Sequence, residues 1–95
     1  MAWRTTELAD EDIADIEAFG AVTFGRRRAE QYVDELVHVL DLLARNPRIA
    51  PERDEINGHV RLYNFKSHRI FYVIERDDIV VVRVLHASRD WPEYL

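Results

Sequence analysis

The sequence predicts an α+β fold of order β-α-α-β-β-β, a helix hairpin packed on an antiparallel sheet. Three observations predict it. Ala29, Tyr32, Val33, Leu36, Val39, Leu40 and Leu43 recur at i, i+3, i+4 and i+7, the spacing of one helix face. Three strand-like runs follow in the last third, near residues 59–65, 67–74 and 79–86. The connections between these runs are too short for anything but antiparallel hairpins.

Each element has a local cause. Trp3, Thr5 and Thr6 favour a short leading strand, although its place in the sheet is left open. Asp10, Glu11 and Asp12 set acidic groups at the start of a first helix, where the helix dipole favours them. Ile13, Ile16, Phe19 and Gly20 give that helix an apolar stripe, and Gly25 breaks it. The second helix starts near Arg26 and ends at Asn46-Pro47, because proline disfavours helix in the residue before it. A polar loop runs from Pro47 to Gly58. Lys66-Ser67 and Asp77-Asp78 are read as the hairpin turns. Strict alternation in the last strand points Val80, Val82 and Val84 at the helices. Trp91, Tyr94 or Leu95 is expected to cap the sheet.

The 95 residues suffice for one domain, read as residues 1–95, with a single core and a small margin of stability. The chain lacks cysteine, which excludes disulfides and thiolate metal sites. No apolar run approaches the roughly 18 residues of a membrane span, and the N-terminal residues lack a signal-peptide pattern. The expectation is a cytoplasmic protein without cofactor or metal.

Charge divides the chain. The net charge is −5, which argues against a generic nucleic-acid binder. Residues 1–46 hold ten carboxylates against five arginines, whereas residues 59–89 hold six cations against three carboxylates. A sheet with basic positions marks where an anionic partner would bind. Arg61, Arg69, Arg83 and Arg89 are the candidate cations. Their bland alternative is pairing with carboxylates of the chain itself. Among the histidines, His38 sits beside the apolar stripe and reads as structural, while His59 and His68 flank the second strand. His86 ends the last strand. It reads either as an acid–base group or as a pin for the C-terminal tail through Asp90 or a backbone carbonyl. Together with Arg61 and Arg83 it would suit phosphodiester cleavage, which needs a base, an acid and cations around the pentavalent phosphate.

Two segments carry a resemblance to a known family. Ser67-His68-Arg69-Ile70-Phe71-Tyr72 opens one strand, and Arg83-Val84-Leu85-His86-Ala87-Ser88-Arg89-Asp90 closes the next. With Phe24-Gly25 before the long helix and Leu42-Leu43-Ala44-Arg45-Asn46-Pro47 at its end, the chain resembles the RelE/ParE toxin superfamily of type II toxin–antitoxin systems, in its ParE branch. The match runs nearly end to end. Ile49-Ala50-Pro51 stands where the family usually has a glycine after the helix-ending proline.

The resemblance implies a bacterial toxin that inhibits DNA gyrase by protein contact, without catalysis, and that is neutralised by a ParD-like antitoxin. DNA would be engaged only indirectly, through the antitoxin. The expected antitoxin-binding residues are Arg61, Arg69 and Arg83, and the expected target-binding residues are Arg89, Trp91, Tyr94 and Leu95. The rival reading is a ribosome-dependent mRNA endonuclease using Arg61, Arg83 and His86. A third is an antitoxin-binding module of the same fold without toxicity. The acidic Pro47–Gly58 loop and the presence of a single lysine, Lys66, weigh against the nuclease, because affinity for nucleic acid comes largely from neutralising phosphates.

Overall fold

A computed structural model describes residues 1–53 and 58–95, with the side chains of Glu93 and Tyr94 excepted. Strand β1 (Trp3–Thr5) leads into helices α1 (Glu7–Phe24) and α2 (Arg26–Arg45), then strands β2 (Arg61–Phe65), β3 (His68–Glu75) and β4 (Asp78–His86). A 3₁₀ turn covers Trp91–Tyr94. The expected element order is present. Among the described residues no helix is long and apolar enough to cross a membrane. Asp54 and Glu55, part of the acidic loop, lie outside the described residues.

The sheet order is β1-β4-β3-β2. The β2–β3–β4 meander is antiparallel, as the short connections require. β1 adds to it parallel, pairing Trp3–Thr5 with Ile79–Val81 of β4 and making the sheet mixed. The first hairpin turn is Lys66-Ser67, as expected. The second is Arg76-Asp77, one residue earlier than the sequence suggested, and Asp78 already pairs with Glu75. Lys66 and Arg76 each adopt a positive φ, 49° and 55°, at the first turn position. Tight hairpin turns that follow the twist of the strands demand this conformation.

The alternation in β4 is broken. Phe71 pairs with Arg83 but Tyr72 pairs with Val81, so Val82 is an extra residue in a β-bulge. The expectation that Val80, Val82 and Val84 face the helices therefore holds only for Val84. Ile79 and Val81 take the helix-facing places before the bulge, in one cluster with Leu36, Leu40 and Leu43 of α2. Burying each of those leucines contributes about 1.5–3 kcal/mol relative to exposure. On the opposite face of the sheet a smaller cluster of Val60, Leu62, Phe71 and Leu85 is covered by Trp91.

α1 is held differently from α2. Its one buried residue is Ala9, against five in α2. Polar contacts along the edge of β4 hold it instead. Thr6 caps α1 by accepting the Ala9 N–H at 3.1 Å, and its hydroxyl donates to the Val82 carbonyl at 2.8 Å. Asp12 accepts the Val84 N–H at 3.0 Å and both Nε and Nη2 of Arg83, at 2.7 and 2.8 Å. At the far end of α1, Gly25 turns the chain with φ 94°. Gly20 lets the two helices approach: a Cβ there would stand 3.2 Å from that of Ala29.

Tyr72 fastens the loop after α2. Its hydroxyl donates to the Pro47 carbonyl at 2.7 Å, beside the Ala50 backbone. Burial raises the pKa of this phenol, an effect partly offset by the Ala50 backbone and the charge of Arg61.

Two substitutions test this account. Asp12→Ala removes the carboxylate that holds a mostly buried guanidinium and uncaps the edge of β4. It is expected to cost about 2–4 kcal/mol in urea unfolding. Tyr72→Phe keeps the ring and deletes the loop fastening, at an expected cost of about 1–3 kcal/mol and a drop in Tm of about 4–8 °C for each kcal/mol.

Candidate functional site

The residues that converge most tightly come from three elements. Tyr32 projects from the middle of α2, His68 opens β3, and His86 closes β4. His68 and His86 are direct cross-strand partners. Their rings stand edge to face, with centroids 5.3 Å apart. The bulge at Val82 sets this geometry, because it returns Val84 and His86 to the helix-facing side. Tyr32 Oη lies 2.6 Å from His68 Nδ1, and their rings meet at 70°.

Burial lowers the pKa of His68, and the nearby His86 lowers it further. Burial raises that of Tyr32, against a hydrogen bond from the Ser67 backbone and the charge of Lys66. A phenol that donates to His68 Nδ1 leaves neutral His68 with its proton on Nε2. At His86, Nδ1 accepts the Ser88 backbone N–H at 3.1 Å and lies 2.7 Å from Ser88 Oγ. A backbone amide only donates, so neutral His86 also carries its proton on Nε2.

The cluster lies where two lobes of a groove meet. One lobe, of about 490 Å³, runs between the helix hairpin and the β2–β3 turn, past Ile16, Phe19, Phe24 and Ala29. The other, of about 450 Å³, runs along α1 and the end of β4, past Asp12, Asp15 and Arg89. Both are lined by Ile16, Phe19, His68 and His86. Above the groove the end of α1 turns outward. Phe19 is 67 % exposed, Val22 89 % and Phe24 59 %, leaving an apolar patch on the hairpin. The stripe read from the sequence is thus only half internal: Ile13 and Ile16 pack on the core, and Phe19 does not.

The arginines singled out from the sequence do not form one surface. Arg61 shares the helix-facing register with Tyr63 and Phe65, and its side chain is only 14 % exposed. It donates to the Ala50 carbonyl at 2.6 Å and faces Glu52 at 3.7 Å. Arg83, also 14 % exposed, is held by Asp12. Arg69 lies half-buried on the opposite face from Arg61, opposite Asn64 and Leu85. For Arg61 and Arg83 the bland expectation, pairing within the chain, is what the structure contains. Lys66 likewise pairs with Glu35 and stacks over Tyr32 and Phe65.

In the tail, Trp91 is half-buried against Phe71, with ring centroids 5.7 Å apart, so it closes the outer face of the sheet. Arg89 and Leu95 are exposed. The side chain of Tyr94 lies outside the described residues. His86 fixes the tail through Ser88, not Asp90. His38 bonds the Asp34 carbonyl and His59 faces Glu52, both at the surface. Among the described residues no group of three or more His, Cys, Asp or Glu could hold a metal. The sequence reading missed Tyr32 as a site residue because it sits inside a perfect apolar stripe.

A family model described as the ParE toxin of the type II toxin–antitoxin system parDE matches residues 4–91. Toxin ParE1 of Mycobacterium tuberculosis (strain ATCC 25618 / H37Rv) is 43% identical over 68 residues, 70% of this chain and 69% of that protein. Toxin ParE1 of Caulobacter vibrioides is 26% identical over 86 residues, 90% and 88% of the two chains. A solved structure titled "Chromosomal ParDE TA system from P. aeruginosa" has the same fold, with a TM-score of 0.81 and 20% identity over 93% of this chain and 97% of that one. The chain belongs to the ParE toxin family of type II toxin–antitoxin systems.

The lowered pKa of His68 makes stability pH-dependent with a definite sign. The unfolded chain binds a proton at this residue at a higher pH than the folded chain does. Stability is therefore full above the unfolded value and falls as pH drops through the folded one. Urea unfolding at about pH 7.5 and about pH 5.5 should show less stability at the lower pH, and His68→Gln should shrink the difference. An unchanged pH slope in that variant would remove His68 as the cause.

Proposed function

We propose that this ParE-family toxin inhibits DNA gyrase by protein contact and is neutralised by a ParD-like antitoxin that covers the helix hairpin. The observation that carries the reading is the state of Arg61 and Arg83. The nuclease alternative needs them as cations for a phosphate, and each is already engaged by the chain, at Ala50 and Glu52 and at Asp12. A charge held by its own carboxylate is poorly placed to stabilise a second anion. Contact with a protein makes no such demand. It needs apolar or aromatic anchors with a polar rim.

Two surfaces meet that description. The apolar end of α1, with the groove beneath it, suits an amphipathic helix of the antitoxin, which would place anchors at helical spacing. Arg69, on the other face of the sheet, would meet acidic residues of the same wrapping segment, while Arg61 and Arg83 would contribute only their remaining field. Arg89 and Leu95, with Tyr94, are the candidate gyrase contact at the tail, and Trp91 supports that contact from below. The protein would reach DNA only through the antitoxin, act in the cytoplasm and need no cofactor. One observation favours the rival mRNA endonuclease: Tyr32, His68 and His86 are acid–base groups gathered beside a groove.

Induction in cells separates the two. Gyrase inhibition predicts filamentation and a DNA-damage response while bulk translation continues. Purified protein should then block supercoiling or trap cleaved DNA, and leave message on programmed ribosomes intact. Cleavage of ribosome-bound message with gyrase unaffected would move the protein to the nuclease class. Val22→Glu, at an exposed position, should leave folding unchanged and weaken the toxin–antitoxin complex by about 10- to 100-fold.

A further inference from the structure

We propose that His68 and His86 form a carboxylate-binding subsite in the floor of the groove, where one acidic side chain of the docked antitoxin helix is seated. The occupant's identity rests on the function proposed above, while the subsite rests on the geometry of the pair.

Three observations carry it. First, the pair is built in. The two residues are cross-strand neighbours with rings 5.3 Å apart, and both line both lobes, so a segment lying along the groove must pass over them. Second, the donors are set. Tyr32 Oη and the Ser88 amide occupy the two Nδ1 atoms, which leaves each ring with an Nε2–H. Among the described residues no protein group is bonded to either Nε2. Two N–H donors on rings 5.3 Å apart can share the two oxygens of one carboxylate. Third, two of the chain's own carboxylates nearby are engaged elsewhere, Asp12 with Arg83 and Glu35 with Lys66, which leaves the exposed Asp15 as the remaining one in the second lobe.

A protein carboxylate fits better than a nucleic-acid backbone. Ile16, Phe19, Phe24 and Ala29 make much of the groove apolar. A run of phosphates would pass Asp12 and Asp15 on a chain of net charge −5. A single acidic residue on an otherwise apolar helix face avoids both conflicts.

The subsite has a pH dependence of fixed sign. The groups facing the pair are Asp12 and Asp15 from α1, Arg28, Tyr32 and Glu35 from α2, Lys66 from the turn, and Arg83 and Arg89 from β4 and the tail. Burial holds the His68 pKa low in the free protein. A bound carboxylate favours the imidazolium and raises it again, so binding takes up a proton and tightens as pH falls.

The test uses the full chain with both imidazoles observed by NMR. Acetate and, separately, inorganic phosphate are titrated at several pH values. The expected result is a saturable shift of both rings with acetate, tighter at lower pH. His86→Leu should weaken it at least about tenfold, and His86→Gln, whose amide N–H replaces the Nε2–H, should stay within about threefold of the parent. Antitoxin co-purified with the tagged toxin should abolish the acetate response and bind His86→Leu more weakly than His86→Gln. Rings silent to acetate would overturn the subsite, whatever the antitoxin does. A full acetate response that persists in the saturated toxin–antitoxin complex would overturn the occupant. Phosphate binding more than about tenfold tighter than acetate would overturn the choice of a carboxylate in favour of a phosphate-bearing ligand.

Discussion

Over half of its length β4 has a strand on one side only, and the architecture follows from how the other edge is closed. β1 is three residues long and pairs only with Ile79–Val81 of a nine-residue strand. Beyond Val81 the backbone groups of β4 would be a template for another chain. The protein closes them with side chains of α1. Thr6 meets the carbonyl of Val82 in the bulge, and Asp12 meets the Val84 amide beyond it. The bulge falls at the residue where β1 stops. Strand pairing before it and helix side chains after it impose different spacings on β4, and Val82 absorbs the mismatch.

That seam decides where the functional groups end up. Because Val82 is an extra residue, His86 returns to the helix-facing side and stands opposite His68. Because Asp12 anchors α1 to the end of β4, α1 borders the second lobe of the groove. Arg83 is consumed in the same seam, so a residue that looks from the sequence like a phosphate ligand is a brace. Arg61 is consumed in a similar way at the Pro47–Ala50 loop, which Tyr72 holds from the other side. Of the sheet's cations, Lys66 and Arg83 thus answer helix carboxylates, Glu35 and Asp12.

How much of this could be read in advance depends on the range of the cause. The stripe of α2 and the meander follow from local spacing and turn chemistry, and Leu36, Leu40 and Leu43 are buried as that spacing requires. The bulge depends on β1 ending at Thr5 and α1 beginning at Glu7, and no period within β4 reports it. Strict alternation therefore misplaced Val80 and Val82. The site was legible in parts. His68 and His86 each stood out as polar residues at strand ends. Their pairing needed the β3–β4 register, and Tyr32 was hidden because a helix stripe cannot say which of its members touches solvent. Arg61 and Arg83 were legible as charged positions but not as paired ones, since Ala50 and Asp12 lie far from them in sequence.

The exposed end of α1 has a packing cause. Gly20 and Ala29 meet where the two helices pack tightly, and even a methyl group at residue 20 would sit 3.2 Å from the Ala29 Cβ. With no room between the helices at that level, side chains of the last turns of α1 must splay to the outside. Phe19, Val22 and Phe24 flank this contact and are exposed together. Solvent-facing apolar groups give a free chain little stability in return, whereas a bound helix would recover roughly 25 cal/mol for each Å² it covers. The hairpin therefore gains close helix–helix contact at Gly20 at the expense of an uncovered patch. That patch adjoins the groove whose two lobes meet at His68 and His86. Apolar anchor and polar register point lie on one path, so a single helical segment of a partner can engage both.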